Sequence, residues 1–183
     1  MSMMKAKIYT LFGIIGPLLA YLSIGVSISG SPWFSWYKNA LSDLGHSVKS
    51  EVAPIFNGGL MIAGFMIVIY AITTFRIYAK YSSYFMVSSA FFLQLVATFD
   101  EVYGPLHTLI SILFFISIGM VSISYAIEKK SVFSVIIFIL SLFSWLLYGV
   151  QKNVVGIALP EIIASLAVTL LLFTSAIRLY LRE

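Results

Sequence analysis

The stretch Ile8–Ser29, IYTLFGIIGPLLAYLSIGVSIS, contains no Asp, Glu, Lys or Arg. At about 22 residues it is long enough to cross the hydrocarbon core of a bilayer, which takes roughly 20. Lys5 and Lys7 precede it, as basic residues precede a secretory signal core. The apolar run is longer than the roughly 7–15 residues of such a core, so it is expected to stay in place as a span.

Five further stretches read the same way: Pro54–Phe75, Ser82–Phe99, Pro105–Ile127, Ser131–Val150 and Pro160–Ile177. The one charged residue among them is Glu161, at the start of the last. Composition agrees with that reading. Of 183 residues, 61% are apolar and 10% charged, and mean hydropathy is +1.03. A soluble domain carries about 25% charged residues, too many for this chain to match. The expected fold is all-α: a polytopic bundle of six transmembrane helices forming one domain over residues 1–183. Most connections are short, which makes consecutive helices antiparallel neighbours. The absence of cysteine excludes disulfides, thiolate catalysis, iron–sulfur clusters and cysteine zinc sites.

Charge orients the bundle. With the N-terminus inside, the inner segments hold Lys5, Lys7, Arg76, Lys80, Lys129, Lys130, Arg178 and Arg182. The outer segments hold Lys38, Lys49 and Lys152. The positive-inside rule then puts both termini in the cytoplasm of a multi-pass cell-membrane protein. The net charge of +4 is thereby a topology signal, and no nucleic-acid partner is expected.

The one long outer loop, Gly30–Ala53, contains SPWFSWYKNALSDLGH, Ser31–His46. Ser31 and Pro32 form a helix-start pair, and Gly45 is a helix stop. Trp33, Trp36, Tyr37, Leu41 and Leu44 recur at the helical period. The spacing predicts a short amphipathic interfacial helix over residues 31–45, with its aromatics at headgroup depth. Its other face would align Asn39, Asp43 and His46.

Pro54, Pro105 and Pro160 each open a span running inward, and each is followed within three residues by a polar group: Asn57, His107 and Glu161. Asp100 and Glu101 end the third span at the same level. A polar cluster of Asn39, Asp43, His46, Asn57, Asp100, His107 and Glu161 is therefore expected at the outer end of the bundle, under the loop. Glu161 also suits a helix N-terminus electrostatically, whereas Asp100 at a helix C-terminus does not. Glu101 reads as a solvated turn residue. Asp100 and His107 span a tight hairpin that would bring them together. Asp43 or His46 would complete a three-ligand site for a divalent metal such as zinc, which two histidines and a carboxylate suit. In a catalytic reading the candidates are Ser42, Asp43, Asp100 and His107, with a metal activating water.

The segments PWFSWYKNALSDLG, FNGGL and the Asp100–His107 pair resemble the prokaryotic membrane-protein family labelled domain of unknown function 998. The resemblance covers nearly the whole chain. It implies a six-helix membrane bundle and no established activity. A looser similarity is to alkaline-ceramidase and progestin-receptor-like membrane hydrolases, which use a Ser, an Asp and three His around an embedded zinc on seven helices. This chain has Ser42, Asp43, Asp100, His46 and His107, two histidines in all, on six spans.

Three functions are open to such a chain. The first is a non-catalytic accessory or lipid-binding protein, whose partners are the bilayer, lipid headgroups or another membrane protein. The second is a metal-dependent hydrolase of lipid or lipid-linked substrates. The third, a transporter, ranks last because the midplane carries no ionisable residue.

Overall fold

The computed structural model describes residues 3–151 and 156–181. Lys152 and Arg182, two of the charges counted for orientation, lie outside them, as does Glu183. Six long helices follow one another: α1, Met3–Ser29; α2, Ala53–Tyr70; α3, Lys80–Thr98; α4, Pro105–Lys129; α5, Val132–Gln151; and α6, Ala158–Leu181. α2 continues through one π-helical turn, Ala71–Phe75, and a last turn, Arg76–Tyr78. No strand occurs among the described residues. Each helix packs on the next in chain order, and α6 returns to α1, closing a ring.

Five of the six helices are long and apolar enough to cross a membrane. The exception, α3, is diluted by Ser82, Ser83, Ser88, Ser89 and Gln94. The bundle also turns its apolar residues outward: Leu18, Leu22, Phe65, Phe143 and Leu146 are all exposed. In α5 just 17% of the most apolar window is buried inside the protein. Only lipid can cover such a surface without cost. The chain is a multi-pass membrane protein.

In lipid the hydrophobic effect does not hold helices together, so close packing and interhelical hydrogen bonds must. Both are present. Gly59 of α2 meets Ser23 of α1, and Gly16 of α1 lies against the Ala63 carbonyl. Gly64 sits where an added Cβ would lie 2.9 Å from the Ala90 carbonyl oxygen of α3. Tyr21 Oη and Thr169 Oγ1 are 3.0 Å apart between α1 and α6, and Tyr70 Oη and Ser175 Oγ 3.0 Å apart between α2 and α6. Phe75 stacks on Tyr125 at 5.9 Å in the core.

The long loop between α1 and α2 is folded over one end of the ring, hereafter the cap end. Regular helix is confined there to a five-residue 3₁₀ turn, Leu41–Gly45. Residues 31–40 form turns and extended backbone, not the first two-thirds of an amphipathic helix over 31–45. The local chemistry explains the difference. The Ser35 N–H is taken by Asn39 Oδ1 at 3.0 Å and the Ala40 N–H by Asp43 Oδ2 at 3.0 Å. Side-chain acceptors of this kind compete with the helical ladder. Leu44 and Leu41 plug the end of the bundle, while Trp33 and Tyr37 point outward.

Gly64→Val places methyls against the Ala90 carbonyl and is expected to destabilise the α2–α3 contact by about 1–3 kcal/mol. Gly58→Ala, where an added Cβ meets nothing within 4 Å, is expected to leave stability unchanged or slightly raised. Thermal unfolding in detergent micelles compares the two.

Candidate functional site

Carboxylates and one amide from four elements hold the cap by its backbone and by the Ser42 hydroxyl. Glu161, in the first turn of α6 and 9% exposed, accepts the Leu41 N–H at 2.7 Å through Oε2. Asp100, just past α3, accepts the Ser47 N–H at 3.2 Å and the Val102 N–H at 2.8 Å, one on each oxygen. Glu101 Oε1 accepts the Ser42 hydroxyl at 2.6 Å. Asn57 of α2 donates to the Gly45 carbonyl at 2.7 Å. The Ala158 N–H, at the start of α6, donates to the Asn39 carbonyl at 3.0 Å. Inside the loop, Asn39 Nδ2 donates to Asp43 Oδ2 at 2.8 Å. His46 Nδ1 accepts the Val48 N–H at 3.4 Å.

All seven residues of the expected cluster therefore lie at the cap end, but they do not converge on one point. Asp100 is taken up by two backbone N–H groups, Asp43 by the Ala40 N–H and the Asn39 side-chain amide, and His46 by its own turn. Among the described residues no group of three His, Asp or Glu is placed to hold a metal ion. The expected ligand set of Asp43, His46, Asp100 and His107 is not assembled. The pairing of Asp100 with His107 is also corrected. The hairpin does close on His107, yet the ring meets the carbonyl of Phe99 and the carboxylate of Glu101, the residues on either side of Asp100.

His107 is 4% exposed. Its Nδ1 lies 2.7 Å from the Phe99 carbonyl oxygen, an acceptor only, so Nδ1 carries the proton. The Nε2 atom then faces Ser111 Oγ at 3.3 Å and Glu101 Oε1 at 3.5 Å. Glu101 is thus not a free surface residue. It joins Ser42 on the loop to His107 on α4, and its side chain is 30% exposed. Ser111 was not singled out from the sequence. Its i+4 spacing from His107 on one helix was the signal that could have found it.

These groups form the polar end of a cavity. A volume of about 660 Å³ opens between α4, α5 and α6. Ser42, Glu101, His107, Ser111 and Glu161 line one end. Beyond them the walls are almost wholly apolar, including Phe115, Met120, Ile123, Phe138, Leu142 and Trp145. His107 and Ile123 are sixteen positions apart on α4, so the cavity follows the helix for about 24 Å. A second chamber of about 120 Å³ lies inside the ring and shares Ser42, Ser111 and Glu161 with the first. Among the described residues no Lys or Arg lines either space.

Burial raises the Asp100 pKa, but the Ser47 and Val102 hydrogen bonds and the nearby His46 outweigh it, and the carboxyl sits below its ordinary value. A depressed carboxyl pKa stabilises the fold above the unfolded-state value, about 3.9, and that contribution is lost as pH falls through the folded value. The difference in melting temperature between the wild type and Asp100→Asn is therefore expected to be largest near neutrality and to narrow below about pH 4.

Comparison with known proteins gives one match. The family model described as Protein of unknown function (DUF998) covers residues 14–178. Neither the curated proteins nor the solved structures yield a match. The matched stretch begins within α1, takes in the whole cap and runs to the end of α6, and the chain belongs to this family.

Proposed function

We propose that the protein binds a single amphiphile, a lipid or lipid-linked molecule, in the cavity between α4, α5 and α6. The observation that carries this reading is the cavity's polarity. Its volume falls within the roughly 300–1,000 Å³ of ligand sites. Hydrogen-bonding groups gather at one end, and the remaining length is apolar but for Ser141. An amphiphile has the same division. The sparse cover of α5 on its outer side gives such a molecule a lateral way in from the bilayer.

The reading extends to topology. All six helices span the membrane, α3 included, because its neighbours α2 and α4 flank it along the ring. Arg76, Lys80, Lys129, Lys130 and Arg178 gather at the end opposite the cap, against Lys38 and Lys49 at the cap among the described residues. The positive-inside rule then places the basic end in the cytoplasm of the cell membrane and the cap outside.

A second reading, hydrolysis of an ester on the bound amphiphile, is favoured by one contact. Ser111 Oγ lies 3.3 Å from His107 Nε2, and the Phe99 carbonyl orients the ring from the other side. That is the relation of nucleophile, base and orienting group in serine hydrolases, with no metal in the arrangement.

Three experiments follow. Lipid extracted from mildly solubilised protein is expected at about one molecule per chain. It should fall severalfold in Gly119→Leu and in Ser141→Leu, which fill the cavity from α4 and α5. Wild-type protein without bound lipid would sink the reading. The chain has no cysteine, so single substitutions report sidedness cleanly. Lys49→Cys is expected to react with an impermeant maleimide on intact cells and Lys130→Cys only after permeabilisation. A fluorophosphonate that labels the wild type and not Ser111→Ala would establish the hydrolytic reading, and no labelling would exclude Ser111 as nucleophile.

A further inference from the structure

The polar end of the cavity is unbalanced in charge and in hydrogen-bonding sense. Glu161 comes from α6 and Glu101 from the 3₁₀ turn Glu101–Tyr103 that follows α3, with Asp43 of the loop nearby but outside the lining. The charges of Glu101 and Asp43 lie close enough to act on Glu161. α4 contributes His107, and α5 contributes no charged group to the lining. His107 Nε2 lies 3.5 Å from Glu101 Oε1 and, with the proton on Nδ1, offers it no donor.

The hydrogen-bond inventory leans the same way. Ser42 gives its proton to Glu101 Oε1, and the Leu41 N–H goes to Glu161 Oε2. The second oxygens, Glu101 Oε2 and Glu161 Oε1, have no protein donor among the described residues. His107 Nε2 also accepts, because Nδ1 already donates to Phe99. What the site lacks among the described residues is a donor carrying positive charge. A buried carboxylate is costly unless such a partner meets it.

Resting on the amphiphile reading, we infer that the head group bound here is a primary ammonium with no phosphate attached to it. An ammonium offers hydrogen-bond donors and one positive charge, matching the two free carboxylate oxygens. A phosphate offers acceptors and negative charge to a site whose described lining holds two carboxylates and no Lys or Arg. A neutral hydroxyl donates once and leaves the carboxylate charge unanswered. The ammonium sits between Glu101 and Glu161, under the loop, and the chain runs along α4 past Phe115 to Ile123.

The test uses the full-length protein in detergent. Trp145 lines the cavity, and the other two tryptophans, Trp33 and Trp36, lie in the loop. With Trp33→Phe and Trp36→Phe in place, Trp145 reports occupancy. The probes are chain-brominated octadecylamine, octadecanol and octadecyl phosphate. Charge-assisted hydrogen bonds exceed neutral ones by enough to make the amine bind at least about tenfold more tightly than the alcohol. The phosphate is expected not to quench. Glu101→Gln should cut the amine-to-alcohol ratio severalfold, and Glu101→Gln with Glu161→Gln should bring it to about one. Glu101→Gln alone suffices if the double variant does not fold. Equal binding of amine and alcohol, or preference for the phosphate, overturns the head-group assignment while leaving the amphiphile reading intact. No quenching by any of the three overturns both.

Discussion

A hydrogen bond from a loop amide to a buried carboxylate organises the cap end of this protein. The Leu41 N–H points at Glu161, which lies 120 residues further along the chain on the last helix. Without it, the turn Leu41–Gly45 would lose its register over the bundle, and Leu41 and Leu44 would leave the apolar mouth they fill. The same contact fixes one oxygen of Glu161, a residue of the cavity lining, and leaves the other without a protein donor among the described residues. Closure of the bundle and shaping of the site thus depend on one side chain. Asp100, Glu101 and Asn57 repeat the device from neighbouring elements, each holding the loop by backbone or hydroxyl groups.

That arrangement answers a problem set by the membrane. Apolar helices have no reason to prefer each other over lipid tails, so the contacts that specify the ring are small residues and scattered hydroxyl pairs. Gly16, Gly59 and Gly64 let backbones approach, and Tyr21 and Tyr70 tie α1 and α2 to α6. The cap adds a polar layer where water is near enough to solvate the carboxylates that remain partly exposed. α5 receives the least of this cover, and the large cavity lies along it.

The helical framework was legible because its signal is long and redundant. Each expected span overlaps an observed helix, and the ends differ by a few residues where charged or polar flanks continue the helix past the apolar run, as Met3–Lys7 do at α1. The collection of polar residues at one end was also legible, since Pro54, Pro105 and Pro160 mark helix starts that share a level. The pairings within it were not. Hydrophobic spacing suggested a helix over 31–45, but Asn39 and Asp43 bind backbone N–H groups and divert the chain into turns. Asp100 and Glu101 are adjacent, and which one faces His107 depends on the sense of a three-residue 3₁₀ turn. Ser111 stood among many helix serines, and only its four-residue spacing from His107 separates it from those that bond the preceding turn.

The π-helical turn Ala71–Phe75 carries a consequence of its own. Such a turn holds one residue more than an α-turn in the same place. That extra residue keeps the segments on either side in phase, whereas loss of one residue from the regular part of α2 would rotate everything after it by about 100°. Phe75 would swing away from Tyr125, and Arg76 would leave its place over the Tyr84 ring, 5.6 Å from the centroid. The length of α2 is therefore set by angular phase as much as by bilayer thickness. A deletion that hydropathy alone would judge harmless would unlock the junction between α2, α3 and α4.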